Sequence, residues 1–209
     1  MDKIKAVIFD MDGVLIDAKE WHYEALNRAL RLFGFEISRY DHLVTYDGLP
    51  TKKKLEMFSL EKGLPHGLHQ FINQMKQIYT MEIIYAKCKP IFSHQRALSK
   101  LKQEGYKLAL CSNSIRDTID LMMEKSDLAQ YLDFTLSNQD VEKAKPDPEI
   151  YSKAIERLGL KPQECLILED NQNGIKAALD SGAHLLEIQS VDDVSYENIK
   201  NKITEIESK

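Results

Sequence analysis

KAVIFDMDGVLID, Lys5 to Asp17, decides how the rest of the chain is read. Ala6, Val7, Ile8 and Phe9 form an unbroken apolar run of β-rich make-up that ends on the carboxylate of Asp10 and is bounded by Gly13. A short run without polar alternation is what a strand covered on both faces looks like, and such strands belong to parallel sheets. Working outward, KLALC (Lys107 to Cys111), CLIL (Cys165 to Leu168) and HLLEI (His184 to Ile188) repeat the pattern, and FTL (Phe134 to Leu136) is a weaker fifth case. Apolar residues at helical spacing separate them: Ala97, Leu98 and Leu101; Ile115, Ile119, Met122 and Met123; Ile150, Tyr151, Ala154, Ile155 and Leu158; Ile175, Ala178 and Leu179. Gly105, Gly159 and Gly182 stand where those helices should stop. Parallel neighbours need a crossover, usually a helix, so this alternation implies a doubly wound parallel sheet.

From about Ala18 to Lys87 the rhythm changes. Helical stripes appear at Ala25, Leu26, Ala29, Leu30 and Phe33, at Leu55 with Phe58, and at Phe71, Met75 and Ile78, with no convincing strand among them. The expected architecture is therefore α/β: a Rossmann-like core of residues 1–17 and 88–209, with an inserted all-helical cap domain, residues 18–87, hinged near 14–20 and 82–90. A chain of 209 residues with 43% apolar content can bury one good core and leave room for that second small domain. Ile199, Ile203 and Ile206 mark a final surface helix.

Composition narrows the partners. A net charge of −5 without a basic block offers no footprint for nucleic acid or an anionic membrane. MDKIKAVIFD lacks the pattern of a signal peptide, and no run of 18 apolar residues occurs, so a cytoplasmic location with no membrane contact is expected. Cys88, Cys111 and Cys165 are odd in number and without paired metal-type spacing, which argues against a disulfide framework and a structural zinc site. A small-molecule ligand and a monomer are the default expectations.

Ligands of open α/β sheets bind beyond the carboxyl ends of the strands. The residues leaving the strands here are Asp10-Met11-Asp12-Gly13, Ser112-Asn113-Ser114 and Glu169-Asp170, with Lys145 in the loop before Pro146-Asp147-Pro148, a sequence suited to a helix start. Two aspartates two apart can serve one site, one as nucleophile and the other as proton donor and acceptor. A phosphoryl group attacked by a carboxylate needs a cation, and the hard oxygens of Asp10, Glu169 and Asp170 suit Mg²⁺. Ser112, Asn113 and Lys145 can supply the hydroxyl, backbone amide and ammonium that would hold a transferring phosphate.

The motifs DMDGVLID (Asp10 to Asp17), CSNS (Cys111 to Ser114), KPDP (Lys145 to Pro148) and LEDNQNGIKAALDSGA (Leu168 to Ala183) come in order and at fitting spacing over essentially the whole chain. With them the chain resembles the haloacid dehalogenase superfamily, in its helical-cap branch, and is similar to β-phosphoglucomutase-like and phosphoglycolate phosphatase-like proteins. The resemblance implies Asp10 as nucleophile and metal ligand, and Asp12 as general acid and base with its main-chain carbonyl on the metal. It further implies Ser112 and Asn113 as phosphate ligands, Lys145 bridging nucleophile and phosphate, and Asp170 with Glu169 completing the Mg²⁺ site. Related phosphatases often carry Gly where Glu169 stands, so Glu169 binds the metal either directly or through water. The function implied is Mg²⁺-dependent hydrolysis of a small phosphomonoester through an aspartyl phosphate, with a phosphosugar mutase as the alternative.

Substrate choice is expected in the cap. His22 matches a position where the sugar-phosphate mutase branch also has His, although an ordinary half-buried histidine reads equally well. Gly48 matches the cap-loop glycine that approaches the substrate, or is a turn glycine without ligand contact. Lys76, and the run Lys52, Lys53 and Lys54, read as solvated lysines. Mutase-like enzymes carry a basic residue just before the cap glycine and an arginine three positions after it. Asp47 and Thr51 stand there instead, so a second phosphate has a poorer site and water becomes the favoured acceptor. A dehalogenase has no use for an acid at Asp12, and a non-enzymatic binding module has none for the full set of Asp10, Asp12, Lys145 and Asp170. Sugar phosphates, glycerol-type phosphates, phosphoglycolate and nucleotides all stay open as substrates.

Overall fold

A computed structural model describes residues 3–46 and 49–208. The chain divides into two compact units, Met1–Asp17 with Lys89–Lys209, and Ala18–Cys88. In chain order, β1 (Ala6–Phe9) is followed by α1 (Lys19–Arg31), the single turn α2 (Arg39–Asp41), α3 (Thr51–Lys62) and α4 (His69–Lys87). There follow α5 (Phe92–Gln103), β2 (Lys107–Cys111), α6 (Arg116–Lys125), β3 (Phe134–Leu136), α7 (Glu149–Leu158), β4 (Cys165–Glu169), α8 (Gln172–Asp180), β5 (His184–Glu187) and α9 (Tyr196–Glu207).

The first unit is built on a five-stranded parallel sheet in the order β3-β2-β1-β4-β5. β1 lies at its centre, and Ala6, Val7, Ile8 and Phe9 are all fully buried. The edge strands β3 and β5 are mostly half-buried. An edge strand needs less apolar character, which is why FTL gives the weaker signal in the sequence. The strand order reverses at β1, so the crevice beyond its carboxyl end is the topological switch point.

Register brings the strand ends together. Phe9 pairs with Leu110 on one side and Leu168 on the other, which sets Asp10 level with Cys111 and Glu169. Alternation along the pleat then puts Ile8 and Asp10 on the same sheet face as Ala109 and Cys111, and Ile167 and Glu169. That face is covered by Ile150, Tyr151, Ala154 and Ile155 of α7 and by Ala177 and Ala178 of α8. α7 stops at Gly159, whose φ of 68° is a left-handed cap that a residue with a Cβ adopts at a cost.

The second unit is all helix among its described residues. α1 packs along α4 and α3 beside it, around Leu26, Leu30, Ile37, Tyr46, Leu55, Phe58, Leu64 and Ile72. The expected stripe at Phe71, Met75 and Ile78 is out of phase: Phe71 and Ile78 are exposed, and the buried line is Ile72, Lys76, Thr80, Ile83 and Ile84. Two polar residues complete that line, which an apolar count cannot register. The Thr80 hydroxyl donates back to the Lys76 carbonyl at 2.8 Å, satisfying itself inside the helix. Lys76 and Lys54, read from the sequence as solvated, are 9% and 8% exposed. Long lysine stems bury readily along apolar surface, so residue type alone misjudges them.

Asn27 organises the loop after α1. It is buried, accepts the Ile37 N–H through Oδ1 at 2.9 Å and donates through Nδ2 to the Ile37 carbonyl at 2.9 Å. Replacing it would take that partner from the buried Ile37 N–H, while the Ile37 carbonyl would keep the Tyr23 hydroxyl, which donates to it at 3.1 Å. Asn27→Ala should therefore destabilise the helical unit by about 2–3 kcal/mol and remove hydrogen-exchange protection from the Ile37 amide. An unchanged melting curve and an unchanged exchange rate would contradict this role.

Candidate active site

Three strand ends and one loop meet at the switch point. Asp10 follows β1, its N–H donating to the Leu168 carbonyl of β4 at 3.0 Å. The chain then folds back at once: Gly13 N–H reaches the Ile16 carbonyl at 2.7 Å, and the Leu15 and Ile16 amides return to the Met11 carbonyl at 3.0 and 2.9 Å. This tight turn holds Asp12 beside the sheet, where its Oδ2 accepts the Ser114 hydroxyl at 3.1 Å.

Ser112 and Asn113 follow β2. Ser112 is buried, and its Oγ accepts the Ser114 N–H at 3.0 Å. The Asn113 carboxamide is engaged elsewhere than at an open site: Oδ1 accepts the Lys145 N–H at 3.1 Å and Nδ2 donates to the Lys145 carbonyl at 3.3 Å. Asn138 fixes the other side of this turn, donating to the Asn113 carbonyl at 2.8 Å. The carboxamide thus holds the backbone of Lys145, and the phosphate donor expected at this position is the main-chain N–H.

Lys145, followed by a cis peptide bond to Pro146, points its ammonium into the sheet face. Nζ lies 2.7 Å from Asp10 Oδ1, 2.9 Å from the Cys111 carbonyl, 2.8 Å from the Tyr151 hydroxyl and 2.6 Å from Glu169 Oε1. Tyr151 in turn donates to Glu169 Oε1 at 2.5 Å. Glu169 fits because residue 174 is glycine: a Cβ there would fall 1.9 Å from Glu169 Oε1. Tyr151 and Gly174 were not recognised from the sequence as parts of the site. The available signal for Tyr151 was its place on the apolar stripe of α7, since a core tyrosine needs a partner for its hydroxyl.

Burial would lower the Lys145 pKa, but Asp10 and then Glu169 beside it hold the ammonium protonated. Burial, followed by the proximity of Glu169, raises the Tyr151 pKa well above the usual phenol range, so its hydroxyl stays a donor. Burial first, then Glu169 and Asp12, push the Asp10 carboxyl up against the opposing pull of Lys145. One ammonium is matched there against several carboxylates, and the imbalance calls for a further cation. Asp10, Glu169 and Asp170 each offer an oxygen, all within 4.8 Å of one another. An all-oxygen donor set of that spacing and charge fits a hard divalent ion.

His22 lies on α1 of the helical unit and is half-buried. Gly48 lies outside the described residues. Cys88, Cys111 and Cys165 are buried free thiols, and burial raises Cys111 to about 12, which makes it a neutral lining group.

A parallel sheet with its central strand ending on paired aspartates, and a lysine bridging to an acidic pair on the neighbouring strand, defines a hydrolase of one broad class. Residues 7–188 match the family model of the haloacid dehalogenase-like hydrolases. Among curated proteins, the chain is 28% identical to a phosphorylated carbohydrates phosphatase of Thermotoga maritima over 97% of this chain and 100% of that one. It is 26% identical to pyrophosphatase PpaX of Bacillus velezensis, over 86% and 81%. A solved β-phosphoglucomutase from Clostridium difficile superposes with a TM-score of 0.84 at 22% identity, over 99% and 100% of the two chains, a likeness of fold. The chain belongs to the haloacid dehalogenase-like hydrolase family. It is accordingly an enzyme.

The contact between Gly174 and Glu169 can be tested without an assay of turnover. Gly174→Ala should cost about 1–3 kcal/mol, because the added methyl must displace a carboxylate held by Lys145 and Tyr151. In a Glu169→Ala background the same change should cost little. Denaturation of the four members of this cycle measures the coupling, and additive costs would show that the two residues do not meet.

Proposed function

We propose that this enzyme is a phosphatase of a small phosphorylated metabolite, with Asp10 as nucleophile, Asp12 as general acid and base, and Mg²⁺ as cofactor. The observation that carries this reading is the position of the Asp10 carboxylate, 2.7 Å from the Lys145 ammonium and within 4.8 Å of acceptor oxygens on Glu169 and Asp170. Asp10, Glu169, Asp170 and the main-chain carbonyl of Asp12 would hold the cation, which would neutralise charge on the phosphoryl oxygens. In the first step Asp10 attacks phosphorus, the ester bond breaks, and Asp12 gives its proton to the departing alkoxide. In the second, Asp12 takes a proton from water, the water oxygen bonds to phosphorus, and the acyl phosphate bond breaks to free Asp10 and inorganic phosphate. Lys145 steadies the negative charge in both steps, and the Ser112 hydroxyl and Asn113 N–H orient the phosphate.

Asp12 is suited to its part by the Ser114 hydroxyl, which holds one carboxylate oxygen at 3.1 Å. Water is the favoured acceptor because Asp47 and Thr51 provide no cationic clamp for a second phosphate. We assign the choice of leaving group to the helical unit, His22 and Gly48 included. The Thermotoga maritima relative, named a phosphatase of phosphorylated carbohydrates, supports sugar phosphates as the first substrates to try.

A panel of phosphomonoesters assayed for inorganic phosphate should show turnover that stops with chelator and returns with Mg²⁺. Asp10→Asn, folded, should lower turnover by several orders of magnitude, on the order of 10³-fold or more. Activity retained in chelator, a near-normal Asp10→Asn enzyme, or an isomeric sugar phosphate in place of free phosphate would each overturn the reading.

A further inference from the structure

Glu169 holds its two oxygens in unequal states. Oε1 takes a bond from the Lys145 ammonium at 2.6 Å and one from the Tyr151 hydroxyl at 2.5 Å, whereas Oε2 takes the Asp170 N–H at 3.2 Å. The Lys145 ammonium has three N–H bonds to share among four oxygens, Glu169 Oε1 being the nearest, so Oε1 depends on two donors rather than on Lys145 alone. The Tyr151 hydroxyl has one proton and directs it to Oε1. Its ring is fully buried in the sheet-facing stripe of α7, so the hydroxyl cannot swing away without unpacking the helix. Gly174 leaves the room that the carboxylate occupies, since a Cβ there would fall 1.9 Å from Oε1 and 2.2 Å from Oε2.

We infer that Tyr151 is a positioning residue of the metal site: by fixing Oε1 it turns Oε2 of Glu169, the less saturated oxygen, toward a cation shared with Asp10 and Asp170. The inference rests on the proposed metal site and goes beyond it by making cation affinity depend on a residue that touches neither metal nor phosphate. A carboxylate free to rotate in a buried site would pair both oxygens with Lys145 and offer neither to a metal. Tyr151 prevents that collapse.

The test measures cation binding directly, on the full chain stripped with chelator, by the electron paramagnetic resonance signal of free Mn²⁺ and by Mg²⁺ competition against it. Wild type should bind Mn²⁺, and Tyr151→Phe, which keeps the ring and removes the hydroxyl, should bind it about tenfold more weakly, the loss of one hydrogen bond. A purely structural role would lower the melting temperature and leave the affinity of the folded protein unchanged, and equal affinities would overturn the inference. A wild type that binds no cation would overturn the metal site itself, and the inference with it. Should Tyr151→Phe fail to fold, the native protein decides. Its Tyr151 hydroxyl proton, protected by burial, should be seen by NMR in tyrosine-labelled protein before and after Mg²⁺ is added. Disappearance of that proton on metal binding would show that Tyr151 releases Glu169 and would overturn the inference.

Discussion

One buried ammonium lies between two buried carboxylates. Lys145 Nζ stands 2.7 Å from Asp10 Oδ1 and 2.6 Å from Glu169 Oε1, with the lysine 5% and the glutamate 1% exposed. Taking such charges out of water costs several kcal/mol per ion, and breaking a pair of this kind by removing one partner typically costs about 3–5 kcal/mol. The arrangement survives because its bonding capacity is filled. The Cys111 carbonyl and Tyr151 hydroxyl take up the remaining reach of the ammonium, and Asn113 holds the Lys145 main chain from both its N–H and its carbonyl.

The sheet makes this possible with few means. Pairing of Phe9 with Leu110 and Leu168 levels three strand ends, and alternation turns Asp10, Cys111 and Glu169 to the face that α7 and α8 cover. Because β1 is where the strand order reverses, the helices leave a crevice beyond it that a parallel sheet with continuous order would close. The carboxylates collected there exceed the one lysine in charge. That excess is costly without a counter-ion, and it suits a hard cation, whose charge would offset it.

Much of this was legible in the amino-acid order. Asp10, Asp12, Ser112, Glu169 and Asp170 follow strands directly, so finding the strands located them, and Lys145 was marked by the Pro-Asp-Pro that starts α7. What was not legible depends on contacts between elements far apart in sequence. Tyr151 reads as one more apolar member of a helix stripe until α7 is laid across Glu169. Gly174 reads as a helix residue until a Cβ is placed against the same carboxylate. Residue type does not reveal that the Asn113 carboxamide is bonded to the Lys145 main chain. Lys54 and Lys76 read as solvated because their type favours water, yet they are 8% and 9% exposed.

In the proposed mechanism Asp10 forms a covalent bond to phosphorus. An aspartyl phosphate is an activated acyl group, which borohydride reduces to homoserine, whereas a free carboxylate resists that reagent. Enzyme quenched during turnover, reduced and mapped by peptide mass spectrometry reports which residue was phosphorylated. Homoserine is expected at position 10, present with substrate and Mg²⁺ and absent when either is withheld. Reduction at another carboxylate, or none at all in an enzyme caught while releasing phosphate, would contradict it.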